Sequence, residues 1–339
     1  MHFIRLSRRT SCAAFTALTC AFVAPALATA APTGTRTWYV SASAQPHGTG
    51  SHNQPFATLP AVETASSPGD TIVILTSRSS VKPLDGGIQL KPRQRLIGDG
   101  PNVRGLGTTA GSPRLTNTSP ARIDGDAVRL ADGATVSNLR IVDAYRGAVY
   151  GHNVSGVDVS GNDVSGQNSS CTKGFLIPPF IAPTNVPGRG IPISAGLING
   201  WAGIMVDADT RRGGTVRITD NTVHDANCGD GIDVRVSGKA SYRTTISRND
   251  IHSLRQGSQL KSILAIGLQA RESSSLVASL DRNTQANLGN ADDLNLAVEG
   301  ADSEGVFVNG VGPSTMDITL TRNTYTNERG LGGFSANGL

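Results

Sequence analysis

The sequence predicts an all-β fold, a parallel β-helix in which one chain winds as a single-stranded solenoid. Three observations carry this. An alternating strand that ends in a polar pair with Asn recurs along the chain. A second short alternating strand follows each copy. No interval between them has the 3.6-residue periodicity of a crossover helix, which argues against a doubly wound sheet.

Residues 1–30 read as a secretory signal. "MHFIRLSRRT" carries three arginines and no acid, "SCAAFTALTCAFVAPAL" is a short apolar run, and Ala28-Thr29-Ala30 offers a small-x-small cleavage site. Pro25 interrupts the run before it could span a bilayer. The expected organisation is therefore a signal at 1–30, a folded domain at 31–339, and secretion to the extracellular space or cell envelope. The whole chain has 30 basic and 26 acidic residues, and removal of the signal leaves 27 against 26. The charge thus gives no reason to infer a nucleic-acid or membrane partner, and neither a nucleic acid nor, after signal removal, a membrane is expected.

The segment after the signal, "TWYVSASAQPHGTGSHNQPFATLPAVETASSPGDTIVIL", looks like the opening of secreted right-handed parallel β-helix proteins, and that likeness implies a strand at "WYV", a Gly/Asn/Pro-rich loop, a short helix at "FATLPAVETA" and a first rung at "PGDTIVI". The helix would cover apolar residues at an otherwise open coil end. Six segments then repeat: "TVSNLRIVDA", "VDVSGNDVSG", "VRITDNTVHD", "TTISRNDIHS", "ASLDRNTQAN" and "ITLTRNTYTN". Their asparagines are Asn162, Asn221, Asn249, Asn283 and Asn323, with Asn138 a looser first copy. Stacked at one turn, they are expected to form a ladder of side-chain amides, with tolerance of the left-handed backbone region as their reason. The second strands start at Gly147, Gly203, Gly231, Ala265, Asn295 and Gly333.

The N-terminal segment, together with "GGIQLKPRQRLIGDG", resembles the opening of secreted right-handed parallel β-helix proteins of the pectate-lyase-like superfamily, and the resemblance extends over roughly residues 36–339. It implies a right-handed coil and action on, or binding of, an extracellular polysaccharide.

The repeat also tests the cysteines. Cys171 lies nine residues after Asn162 and Cys228 seven after Asn221, in the same turn region of consecutive rungs. A disulfide fits there, and a pair of buried free thiols is the alternative. Between them runs a Pro/Gly-rich insertion with Phe175, Phe180 and Trp201. No regular strand fits it, so a loop at about 168–202 should project from the coil, packed outside it or walling a cleft.

Alternation places one polar column outward. In "GIDVRV" Ile232 and Val234 point inward, leaving Asp233 and Arg235 outside; "GIMVDAD" sets Met205 beside Asp233 and Asp207 beside Arg235, with Asp209 next; "AIGLQAR" adds Gln269 and Arg271, and Glu299 extends the column. These residues are expected on one exposed sheet. By the superfamily resemblance, a polyuronate lyase would hold Ca²⁺ on Asp207, Asp209 and Asp233 and use Arg235 or Arg271 as base, with Asp233 among the catalytic candidates. Asp207, Gln269 and Trp201 would bind substrate. A glycoside hydrolase of the same fold would instead pair Asp207 with Asp233 or Asp230. Against both, Asp207 beside Arg235 also fits an ordinary cross-rung ion pair worth ~0–1 kcal/mol. His224 and His252, repeated at one turn offset, fit turn packing.

Signatures of polygalacturonases and of glycine-aspartate calcium rolls are absent, and two Trp and five Tyr are few for a sugar-binding face. The C-terminal "NTYTNERGLGGFSANGL" follows the last Asn turn without a cap, so self-association through an open coil end, in a non-catalytic surface or assembly module, is the competing expectation.

Overall fold

The computed structural model describes residues 35–78, 80–103, 111–177, 181–183, 190–192, 197–255, 257, 262–289, 302–326 and 334–338. They form a right-handed parallel β-helix of three long sheets. The first sheet runs from Thr37–Val40 through Thr71–Ile74, Arg95–Gly98 and Thr135–Ser137 to Thr315–Thr321, each strand parallel to the next. The second joins Arg114–Leu115 to Thr324–Thr326. The third carries Val149–His152, Ile204–Ala208, Ile232–Val236, Ser262–Arg271 and Asp302–Val311 side by side.

The start of the coil follows the sequence closely. Thr58 caps the helix Leu59–Ala65 by accepting a hydrogen bond from the Ala61 amide at 3.3 Å. Leu59 and Val62 are buried against the first rung, so the helix stoppers the apolar bore. That bore is filled by the inward residues of successive rungs, among them Val149, Ile204, Val206, Ile232, Val234, Ile266 and Leu268. In the last rung the cover thins: Met316, Ile318 and Tyr325 are only partly buried and Leu320 is 37% exposed.

The asparagine ladder is present, for a different reason than expected. Asn162 donates its side-chain amide to Asn221, Asn221 to Asn249, Asn249 to Asn283 and Asn283 to Asn323, at 2.8–3.0 Å. None of these five has a left-handed backbone. That conformation belongs to the residue before each, Gly161, Asp220, Arg248, Arg282 and Arg322. Asn138 occupies this preceding slot (φ 55°) and is no rung of the ladder; its neighbour Leu139 donates its backbone N–H to Asn162 Oδ1 instead. The ladder asparagines are kept by burial and by four-way amide pairing.

Cys171 and Cys228 are joined by a disulfide, with Cα atoms 5.1 Å apart. The insertion they bracket contains regular structure, contrary to expectation. Lys173–Ile177 pairs antiparallel with Leu197–Gly200, and Ile181–Pro183 with Gly190–Pro192. Asn199 then pairs in parallel with Ser262, so the insertion returns as part of the third sheet. Phe180 and Glu299 lie outside the described residues, as does the strand expected from Asn295. That rung is completed by Asp302–Val311, whose Val306 and Val308 stand opposite Ile266 and Leu268.

Candidate functional site

The outer face of the third sheet carries the candidate site. Inward Ile204, Val206, Ile232, Val234, Ile266 and Leu268 fix the pleat, so the residues between them point away from the bore. Register then aligns His152, Asp207, Arg235, Gln269 and Asn309 in one row across five strands. Beside it runs Tyr150, Met205, Asp233, Gly267 and Phe307. A cleft of about 210 Å³ opens over the first row and the strand ends, lined by His152, Asp207, Asp209, Arg235, Gln269 and Arg271. The shared face was legible in the alternation. Its continuation to Tyr150 and His152 was missed, although "AVYGH" alternates in the same register one rung earlier.

His152 and Asp207 form a defined pair. Imidazole Nδ1 lies 2.8 Å from Asp207 Oδ1, and Nε2 lies 2.9 Å from the Asn153 side-chain nitrogen. Asn153 Oδ1 accepts from the amides of Asp209, Thr210 and Arg211, and its nitrogen also donates to Asp209 at 2.7 Å. Its amide orientation is thereby set, so Nε2 of His152 accepts and Nδ1–H donates to Asp207. The Tyr150 hydroxyl donates to the same Asp207 oxygen at 3.1 Å. Burial, then the Asp207 charge, raises the Tyr150 pKa and keeps the hydroxyl protonated. The bond from Asn153 holds the Asp209 carboxyl below its ordinary range.

Across the cleft stand the cations. The Arg271 guanidinium is exposed and makes no ion pair or hydrogen bond among the described residues. Arg235 lies deeper, with 14% of its side chain exposed, near Met205 Sδ (3.2 Å) and Asp233 (3.7 Å).

The second row corrects the expected exposure. Asp233 is wholly buried, as is Asp230. The returning insertion lies against Asp230 and Arg235: Asn199 donates to Asp230, and the Trp201 ring sits 5.9 Å from the Arg235 guanidinium. Asp230 Oδ1 also accepts from the Leu264 amide at 2.9 Å. Neither oxygen of Asp233 makes a hydrogen bond of good geometry. Burial pushes the Asp233 pKa up to about 7, against the pull of Arg235 and the Gly267 amide. Burial, then the Asp233 charge, likewise raises that of Asp230. Trp201, expected to stack on substrate, instead carries the Arg146 guanidinium on its ring at 4.2 Å and meets Tyr150 edge-on at 5.3 Å. Asp207, Asp209 and Asp233 do not converge. Among the described residues no three His, Cys, Asp or Glu side chains gather as a metal site, so the calcium cage expected on those aspartates does not fit this arrangement.

His224 and His252 lie on the second sheet, away from this row. Their rings stack at 5.2 Å, and both nitrogens of His224 meet carboxylates, Asp163 at 2.9 Å and Asp225 at 2.7 Å.

No protein-family model and no curated protein matches the chain. Solved structures match most of its length. GH136 lacto-N-biosidase from Eubacterium ramulus is 12% identical, over 90% of this chain and 68% of its own, with a TM-score of 0.34. Pectate lyase Pel9A is 12% identical over 86% and 78%, with a TM-score of 0.31. DFA-IIIase from Arthrobacter chlorophenolicus A6, in complex with GF2, is 13% identical over 89% and 88%, with a TM-score of 0.32. These likenesses concern the fold alone.

Proposed function

We propose that the cleft acts on an acidic extracellular polysaccharide by β-elimination. The observation that carries this is an imidazole held by a carboxylate in a cleft that is also lined by the Arg271 guanidinium, which makes no ion pair or hydrogen bond among the described residues. Arg271, with Arg235 at the floor, would take the sugar carboxylate in the forked geometry that suits guanidinium. The neighbouring C–H would then lie toward His152. Nε2 exchanges its contact with Asn153 for the substrate and takes the C5 proton as general base, while Asp207 stabilises the imidazolium. The C–H electron pair becomes the C4–C5 double bond, the C4–O bond breaks with its pair on oxygen, and water in the cleft protonates that oxygen. The base role thus passes from Arg235 and Arg271, whose guanidinium groups offer donors and no acceptor, to His152. Secretion, as residues 1–30 suggest, would bring the protein to such a polymer.

Hydrolysis by paired carboxyls is less well supported. Asp233, with a pKa near 7, has the proton affinity of a general acid. Wholly buried, it does not line the cleft.

The test is ultraviolet detection of unsaturated uronate released from pectic, alginate and glycosaminoglycan polymers, with calcium and with chelator. Loss of the base in His152→Ala should lower kcat about 10²–10⁴-fold, and Arg271→Ala should act mainly on KM. No product from any polymer, or full activity in folded His152→Ala, overturns the proposal.

A further inference from the structure

Gln269 and Asn309 are neighbours across two parallel strands, on the same outward row as His152, Asp207 and Arg235. Gln269 is 2% exposed and Asn309 1%. Yet Gln269 Nε2 and Asn309 Nδ2 have no hydrogen-bond partner among the described residues. Buried amides are nearly always satisfied, and one left unmade stands against folding. The ladder asparagines one sheet away spend every amide hydrogen; Gln285, isolated on the second sheet, leaves its own idle, and Gln269 and Asn309 differ from it in standing side by side, with Gln269 at the cleft. Two adjacent idle donors therefore want a ligand. Gln269 lines the cleft, and Arg271 lies two residues further along the same strand.

We propose that Gln269 and Asn309 are specificity-determining residues, whose free N–H groups, together with Arg271, receive an oxyanion carried by an acidic sugar, a carboxylate or a sulfate. The assignment rests on the cleft being the sugar site. A neutral hydroxymethyl group brings its own hydrogen and one oxygen. An oxyanion brings several lone pairs and no hydrogen, which matches a donor-only wall. The two amides are uncharged, so their share of binding resists salt, whereas the Arg271 share is screened.

Calorimetric titration with three probes separates the cases: tetragalacturonate, its carboxyl-reduced neutral counterpart, and a sulfated galactose tetramer. Gln269→Leu and Asn309→Leu remove idle buried donors, so both should melt at or above the wild-type temperature. Each should bind an acidic probe about tenfold more weakly at both low and high salt, the loss typical of a hydrogen bond to a charged group. Binding of the neutral probe should not change. A loss confined to tetragalacturonate assigns the carboxylate, and one confined to the sulfated tetramer assigns the sulfate. If the wild type binds an acidic probe and both variants bind it equally well, the amide assignment falls while the cleft reading stands. If the wild type binds none of the three, the cleft reading falls and the assignment with it.

Discussion

Removing one rung of the asparagine ladder tests what holds the coil together. Asn221 is fully buried. Its Oδ1 accepts from the backbone and side-chain amides of Asn162 at 3.0 and 2.9 Å. Its nitrogen donates to the Val159 carbonyl at 2.9 Å and to Asn249 Oδ1 at 3.0 Å. Asn221→Ala deletes all four bonds. Asn249 Oδ1 keeps the Asn221 backbone amide, but two hydrogens on Asn162 and the Val159 carbonyl lose their partner. At about 1–3 kcal/mol for each group stranded without water, with some relief from solvent entering the void, the expected loss is about 3–5 kcal/mol. For a folded unit of roughly 300 residues that corresponds to a fall in Tm of about 5–8 °C. The control is Asn323→Ala, at the last rung, where the side chain is only part-buried and water can replace what is lost; about 1 kcal/mol is expected there. Urea unfolding followed by far-ultraviolet circular dichroism reads both, provided the slope m is unchanged. If Asn221→Ala costs under about 1 kcal/mol, or no more than Asn323→Ala, the ladder is decoration and inward apolar packing alone sets stability.

His224 gives a pH signature. Its contacts with Asp163 and Asp225 raise its pKa, although burial works the other way, so the charged ring stabilises the fold fully below the ordinary histidine pKa of about 6.5, and this contribution is lost as pH rises through the higher folded value. The Tm gap between wild type and His224→Gln should therefore be widest near pH 5–6 and narrow toward alkaline pH; a gap independent of pH contradicts the pairing. Breaking the disulfide in a Cys171→Ser, Cys228→Ser double variant opens a closure of 57 residues, worth about 4 kcal/mol on the chain-entropy model, and an unchanged urea midpoint would refute it. Tyr242→Phe removes a 2.6 Å bond from the buried hydroxyl to the Val154 carbonyl and should cost about 1–3 kcal/mol by the same urea assay.

The rungs, the capping helix and the disulfide pairing were legible because each is a matter of local alternation or of register between neighbouring repeats. The left-handed residue was placed one position late, since the sequence shows Asn at every turn and varied residues before it: Gly161, Asp220, Arg248, Arg282 and Arg322. Arginine at a positive φ carries no compositional signal. The burial of Asp233 could not be read at all. Alternation says which way a side chain points, and it says nothing about what lies on top. Here the cover returns through Asn199 and Trp201, some thirty residues earlier in the chain, on a segment whose Pro and Gly content hid two antiparallel strand pairs.

A solenoid offers its own way of separating scaffold from site. Each position recurs once per rung, so a residue that the coil itself requires should recur with it. The inward Asn column does so over five rungs with the same bonding at each step. The outward row of the third sheet varies instead: His152, Asp207, Arg235, Gln269 and Asn309 differ from one rung to the next, and a residue type repeats where Asn337 stands opposite Asn309, while the strands around them keep the same hydrophobic register. The coil places no demand on any of them. The idle donors of Gln269 and Asn309 even work against folding. Replacing His152, half-exposed at the rim, by Ala should accordingly leave the unfolding free energy within about 0.5 kcal/mol of wild type while lowering kcat about 10²–10⁴-fold. The same change at Asn221 should cost the fold about 3–5 kcal/mol without touching the cleft. A His152→Ala variant as destabilised as Asn221→Ala would mean that the varied row is scaffold too, and that uniformity along a column does not mark the residues the coil requires.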